Sequence, residues 1–376
     1  MKEVPVLLLT GYLGSGKTTL LNRILANEKG IKFAVIVNDI GEVNIDANLI
    51  EAGGVVGKGD DSLVALQNGC ICCTLKMDLV KQLQDIISQK RFDYIVIEAS
   101  GICEPAPIAQ TICSMPQMLP PAQLKDGVPR LDSIVSVVDA LRLRDEFANG
   151  NELTQKNLSD DDLASLVIQQ IEFCNQILLN KASEVSPEDL GKIKSILHAI
   201  QPKAPITTCD YCDVDLDELV KTRRFNFDEV ARSAAWINAI EGEEMENEET
   251  GEAYEYGIDT FVYNRRPPFN LGRFDEYVAT KWPKSIIRCK GLCYFRDETQ
   301  TCYVFEQAGK QVQIRNAGQW FAEMSKKELE DFLLTHPEVQ RDWDEKYGDR
   351  MQKLVFIGQN LNREEIEKEL DKCLDE

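Results

Sequence analysis

Residues 11–18 read GYLGSGKT and match G-x-x-x-x-G-K-[ST] at every fixed position. In such a loop Gly11, Gly14 and Gly16, with Ser15 between them, let backbone N–H groups wrap a chain of phosphates. A helix starting there turns its partial positive charge toward the same anion. Lys17 would reach the β- and γ-phosphates, Thr18 would ligate Mg²⁺, and Thr19, at the helix start, completes the nucleotide-binding set of the loop. A β-type run, Val4–Thr10, precedes the loop, and a good helix start, Thr19–Ala26, follows it. The segment Phe92–Glu98 is apolar and closes on a carboxylate, followed by Ala99, Ser100 and Gly101. An acid at that strand end faces the Mg²⁺ side of a phosphate loop. Asp139 ends a similar run, Ile134–Val138, and its role is less defined.

Two further groups carry chemistry. The run Gln176–Lys181 ends in Asn180 and Lys181, which resembles the N-K-x-D loop of GTPases. There Asn and Lys shape the base pocket, and Asp accepts from guanine N1–H and the exocyclic amine. Here the fourth position is Ser183, with Glu184 next, and a hydroxyl is no bidentate acceptor. Either Glu184 substitutes or guanine preference is weakened; GTP is favoured over ATP. The second group is Cys70, Cys72 and Cys73, three thiols within four residues. A turn would converge all three on one ion, and soft thiolates suit Zn²⁺ or Cu⁺ better than Mg²⁺. Three thiolates leave one tetrahedral position open, which suits transfer of a metal better than storage. A redox dithiol and a set of inert buried cysteines are the rival readings. Cys209 and Cys212 have C-x-x-C spacing without a second pair at zinc-ribbon distance, and read as structural. Cys289, Cys293 and Cys302 read as core, and neither His198 nor His336 is given a ligand role.

These residues need elements to hold them. Short apolar runs at Val4–Thr10, Phe33–Asn38, Tyr94–Glu98, Ile134–Asp139, Gln176–Asn180 and Pro205–Thr208 read as strands buried on both faces. Amphipathic stretches such as Asp78–Lys90 and Leu163–Cys174 lie between them. This alternation predicts a P-loop NTPase parallel sheet with helices on both faces, over residues 1–240. Residues 241–257 read as an acidic solvated linker; Glu241–Tyr256 holds eight glutamates and neither Lys nor Arg. Residues 258–376 read as a smaller α+β domain. Its strands are expected at Thr260–Tyr263, Ser285–Phe295, Thr301–Gln307, Gln311–Arg315 and Lys353–Gly358, and its helices at Lys327–Leu334 and Arg363–Leu374.

The bulk numbers bound the partners. The chain has 376 residues and a formal charge of −21, which repels phosphate backbones and anionic lipid. Nucleic acid and membrane are therefore not expected partners, whereas metal ions are compatible. No apolar run approaches the ~20 residues that span a bilayer, and Met1–Thr10 reads as a first strand and not a signal peptide. Of twelve cysteines several cluster at short gaps, and without a secretory signal such spacing reads as metal or redox chemistry in a reducing cytoplasm.

The joint pattern is similar to one family. Gly11–Thr18, Val37–Asp46 (VNDIGEVNID), Asn68–Cys73, Ile97–Gly101 and Asn180–Lys181 resemble the CobW family of metallochaperone-type P-loop GTPases. That family is related to the nickel-insertion GTPases of urease and hydrogenase maturation. Val262–Pro268, Lys353–Gly358 and Leu370–Leu374 are similar to its C-terminal domain. The resemblance implies a GTPase that cycles between GTP and GDP with Mg²⁺ held by Thr18 and Glu98. It implies Zn²⁺, or Co²⁺ or Ni²⁺, as cargo on Cys70, Cys72 and Cys73, delivered to a client metalloprotein. It also implies that Asp39–Asp46 is a switch segment responding to the γ-phosphate, with Asp39 and Glu42 in the catalytic set and Glu42 near the metal or the attacking water. The chain departs from the family in Ser183 and in a Glu-rich linker where many members carry a His-rich stretch. An NTP-driven activator of one cobalt, iron or nickel metalloenzyme is the alternative.

Overall fold

The computed structural model describes residues 2–26, 29–37, 63–65, 76–147, 166–226, 258–308, 311–335, 339 and 343–375. Asp39, Glu42, Cys70, Cys72, Cys73, the acidic linker and His336 lie outside the described residues. The described chain forms two compact units, one up to residue 226 and one from residue 258 onward.

The first unit is a parallel sheet. Its strands are β1 (Glu3–Thr10), β2 (Phe33–Val37), β3 (Leu63–Ala65), β4 (Tyr94–Glu98), β5 (Val128–Asp139), β6 (Gln176–Asn180) and β7 (Ile206–Thr208). They lie in the order β3-β2-β4-β1-β5-β6-β7. The helices are α1 (Lys17–Leu25), α2 (Lys76–Ser88), α3 (Pro105–Met118), α4 (Ala140–Phe147) and α5 (Pro187–Ile200), with a further helical stretch at 166–172. The expected P-loop α/β architecture is the observed one. β2, β4 and β6 are buried at every position, which is why they read as continuous apolar runs. Parallel pairing turns every strand's C-terminal end to one edge, so β1, β4 and β6 all deliver their following loops there.

Two of the departures from the sequence expectation have a plain physical cause. β5 begins at Val128 and not at Ile134. Pro129, Arg130 and Asp132 hid its first half, because a buried acid is not a strand signal. Asp132 is tolerated there because it is saturated with donors. Tyr94 Oη donates to it at 2.7 Å, Arg130 at 2.7 Å, and the N–H groups of Thr222 and Arg223 at 2.9 and 3.1 Å. The expected helix Arg363–Leu374 stops at Asp371. Beyond it the Cys373 carbonyl accepts from Asn270 N–H at 2.8 Å, and Leu374 pairs with Phe269.

The second unit is an antiparallel sheet of β8 (Ile258–Arg265), β9 (Ile286–Phe295), β10 (Glu298–Ala308), β11 (Gln311–Gln319) and β12 (Gln352–Gln359), ordered β11-β10-β9-β12-β8. Helices α6 (Leu271–Thr280), α7 (Lys326–Thr335) and α8 (Arg363–Asp371) accompany it. Phe261, Tyr263, Phe269, Phe274, Phe305 and Phe356 pack with Ile366 and Leu370 of α8 into an aromatic core. Cys289 and Cys293 belong to that core and Cys302 to a smaller cluster, as expected.

The Asp132 cluster yields a stability prediction. Burial works against its charge, but the bonds from Tyr94, Arg130, Thr222 and Arg223 more than offset it and hold the carboxyl below its usual 3.8. A carboxyl held down in the fold stabilises it above the unfolded pKa, and that stability drains away as pH falls through the folded value. Asp132→Asn should cost about 1–3 kcal/mol at pH 7. Urea unfolding followed from pH 7 to pH 3 should show the gap between the two proteins narrowing below about pH 4.

Candidate functional site

The site starts at the turn between β1 and α1. Gly11, Gly14 and Gly16 all take positive φ, which an L side chain adopts only under strain. Gly16, at φ 113°, caps α1 without a side-chain bond. A Cβ there would lie 2.5 Å from Asn180 Nδ2 and 3.0 Å from Cys212 Sγ. Gly101 answers a different demand: a Cβ would meet the Leu13 backbone nitrogen at 2.7 Å, so only glycine lets the loop after β4 lie against the phosphate loop. Lys17 is buried, and its Nζ donates to the Tyr12 carbonyl at 3.2 Å across the loop.

The next strand over supplies a carboxylate. Glu98 pairs in register with Leu9 and is buried at the end of β4. Thr18 Oγ1 donates to Glu98 Oε1 at 3.1 Å. A hydroxyl and a carboxylate thus converge beside the loop, a hard-oxygen pair of the kind that Mg²⁺ takes. Gln170, from the helical stretch, donates to the carbonyls of Gly101 and Cys103 at 3.2 and 3.1 Å and pins the chain that follows Glu98.

The third wall comes from β6 and β7. Asn180 is buried; its Nδ2 donates to the Ser15 carbonyl at 2.8 Å, and its Oδ1 accepts from Cys212 N–H at 3.0 Å. Lys181 takes a left-handed conformation and its Nζ pairs with Asp139, which gives that acid a role in the base loop. Ser183 sits in the short turn Ala182–Glu184, and both its N–H and its hydroxyl donate to Asp210 Oδ1, at 3.0 and 2.9 Å. Glu184 is exposed.

The nucleotide-binding domain model of CobW/HypB/UreG matches residues 5–208, and that of the cobalamin synthesis protein CobW C-terminal domain matches residues 258–374. The chain belongs to the CobW/HypB/UreG family. It is by class a P-loop GTPase. Among curated relatives, zinc-regulated GTPase metalloprotein activator 1 of Dictyostelium discoideum is 37% identical, over 99% of this chain and 80% of its own. The zinc chaperone YjiA of Escherichia coli is 29% identical, over 97% of each chain. The crystal structure of Zn(II)-bound YjiA GTPase from E. coli aligns over the whole of both chains at 21% identity with a TM-score of 0.44.

For a CobW-family chain, the sequence-marked phosphate and Mg²⁺ residues stand together: Gly11, Gly14, Ser15, Gly16 and Lys17 form the loop, Thr18 meets Glu98, and Asn180 bonds to Ser15. Thr19 lies in the first turn of α1. Of the expected catalytic set Lys17, Asp39, Glu42 and Glu98, Asp39 and Glu42 fall outside the described residues, as do the thiols Cys70, Cys72 and Cys73. Cys209 and Cys212, read as structural from their spacing, are buried in the core cluster under the phosphate loop. Cys212 Sγ donates to the Gly16 carbonyl at 3.4 Å. The two thiols shift each other: Cys212 holds Cys209 below its usual range, while Cys209 and burial push Cys212 up. Sequence reasoning missed Asp210. Its signal was present, an acid two residues past the last strand of the sheet, but it was masked by Cys209 and Cys212.

Gly16→Ala tests the joint between the loop and Asn180. The left-handed φ alone costs about 1–3 kcal/mol, and the Cβ displaces the Asn180 amide. Binding of a fluorescent guanine nucleotide should fall at least tenfold and the melting temperature should drop, whereas Gly14→Ala, which meets no atom within 4 Å, should show the strain alone.

Proposed function

We propose that this chain is a GTP-hydrolysing metallochaperone. It takes Zn²⁺ or a similar divalent ion on Cys70, Cys72 and Cys73 and hands it to a client metalloprotein. Lys17 and the loop glycines bind the triphosphate, and Asn180 and Lys181 frame the base. Thr18 and Glu98 would hold Mg²⁺, which on binding supplies positive charge to the β- and γ-phosphate oxygens. Asp39 and Glu42 belong to the segment that answers the γ-phosphate and orients the attacking water. The relatives' names, zinc-regulated GTPase metalloprotein activator and zinc chaperone, support the cargo.

One observation carries the coupling of cargo to nucleotide. The cysteine segment is bracketed by Ala65, the last residue of β3, and Lys76, the first of α2. β3 is parallel to β2, β2 to β4, and β4 to β1, so Ala65 lies on the edge that carries the phosphate loop. Three strand spacings separate β3 from β1, roughly 15 Å. Cys70 is five residues past Ala65, a reach of at most ~18 Å. That reach is long enough to bring Cys70 to the phosphate loop, which supports the reading. Metal and nucleotide can then bias the same loops, and the coupling must be reciprocal.

Titration of the purified protein with Zn²⁺, Co²⁺ and Ni²⁺, with and without GTP and Mg²⁺, tests this. One metal per chain is expected, bound about 5–150-fold more tightly or weakly with GTP, with GTP affinity changing by the same factor. Cys72→Ser should abolish tight metal binding and spare GTP; Lys17→Ala should do the reverse. GTP affinity indifferent to Zn²⁺ would remove the coupling. Turnover stimulated only by a client and never by metal would favour the activator of one metalloenzyme.

A further inference from the structure

The base loop Asn180–Ser183 lacks a carboxylate at its fourth position, yet the structure puts one beside it. Asp210 arrives from β7, across the sheet edge. The loops are stitched by backbone bonds, Cys209 N–H to the Leu179 carbonyl at 2.9 Å and Ala182 N–H to the Cys209 carbonyl at 3.2 Å. Ser183 then fixes the half-buried Asp210 by two bonds to a single oxygen, Oδ1. A carboxylate offers about four lone-pair sites. Two are used on Oδ1, and Oδ2 accepts nothing among the described residues. On the other side of this turn Cys212 N–H is locked to Asn180 Oδ1, and Asn180 to the phosphate loop. Asp210 thus belongs to the frame that holds the phosphates.

We propose that Asp210 is the base-reading acid of this chain, held in place by Ser183 as a positioning residue. The inference rests on the guanine-nucleotide reading above and names the residue that makes it specific. With Oδ1 taken by Ser183, the free Oδ2 accepts from the guanine 2-amine, a donor that adenine lacks. Adenine has an acceptor at N1 and no 2-amine, so it would leave the carboxylate facing a lone pair. A site built to bond a donor rejects the analogue that lacks it. In this chain the acid stands in the loop after β7, and Ser183 orients it from the loop after β6.

Asp210→Asn decides the matter, because it keeps the shape and turns an acceptor into a donor. Xanthine carries a carbonyl where guanine carries its 2-amine. The variant should bind GTP and GDP about 10–100-fold more weakly and xanthosine triphosphate at least tenfold more tightly than the parent. Ser183→Ala should weaken GTP binding about threefold to tenfold without any gain for xanthosine triphosphate. The double exchange Ser183→Asp with Asp210→Ser should restore guanine preference. Loss of GTP binding by Asp210→Asn with no gain for xanthosine triphosphate would make Asp210 structural and overturn the proposal, as would the same switch produced by Glu184→Gln. If the parent binds GTP and ATP equally, the guanine reading itself fails, and that shows before any variant is made.

Discussion

One buried side-chain amide joins the two halves of the nucleotide site. Asn180 reaches from β6 to the Ser15 carbonyl with its nitrogen and receives Cys212 N–H with its oxygen. Both ends of the amide are satisfied, which is what permits a polar group to be buried there. The phosphate loop, the base loop and the turn after β7 therefore share one reference point. Gly16 must be glycine because that amide stands where its Cβ would be. Cys212 must be small because it fills the space beneath the Gly16 carbonyl. Arg23 closes the arrangement from α1 with bonds to the Tyr211 carbonyl and to Asp213, both at 2.7 Å.

The sequence made much of this legible because phosphate binding depends on the backbone. A loop that wraps phosphates needs glycines at fixed spacing, a lysine and a hydroxyl, and these survive as a readable string from Gly11 to Thr18. Strands buried on both faces are similarly plain, as Phe33–Val37 and Tyr94–Glu98 demonstrate. Residues brought together by tertiary contact were not legible. Asp132 hides inside β5 because three of its four donors come from β4 and from residues 222 and 223. Asp210 meets Ser183 across 27 positions of sequence. The Ser183 departure was visible at once; what answers it was not, since pairing between two loops leaves no local period.

The C-terminal unit follows different rules. Its core is aromatic, and its sheet carries a buried acid, Glu306, among Arg288, Lys290 and Arg315. Burial opposes that charge, but the three cations hold Glu306 below the usual carboxylate range. Such a cluster is weak evidence of stability, since desolvation offsets much of the attraction. It fixes the register of β9, β10 and β11 against one another, because a slip by one residue would turn Glu306 to the opposite face.

The bonding around Asp132 also has a mechanical side. Just before the described part of the first unit ends, Thr222 and Arg223 are bolted to the Asp132 carboxylate, and Phe225 N–H is held by its carbonyl at 2.9 Å. Asp132 belongs to β5, the immediate neighbour of the strand that feeds the phosphate loop. Tension drawn along the chain past Asn226 is thus borne by the middle of the sheet and not by its short outer strand. Residues 222–225 are moored one strand away from the one that feeds the phosphate loop, by a single aspartate.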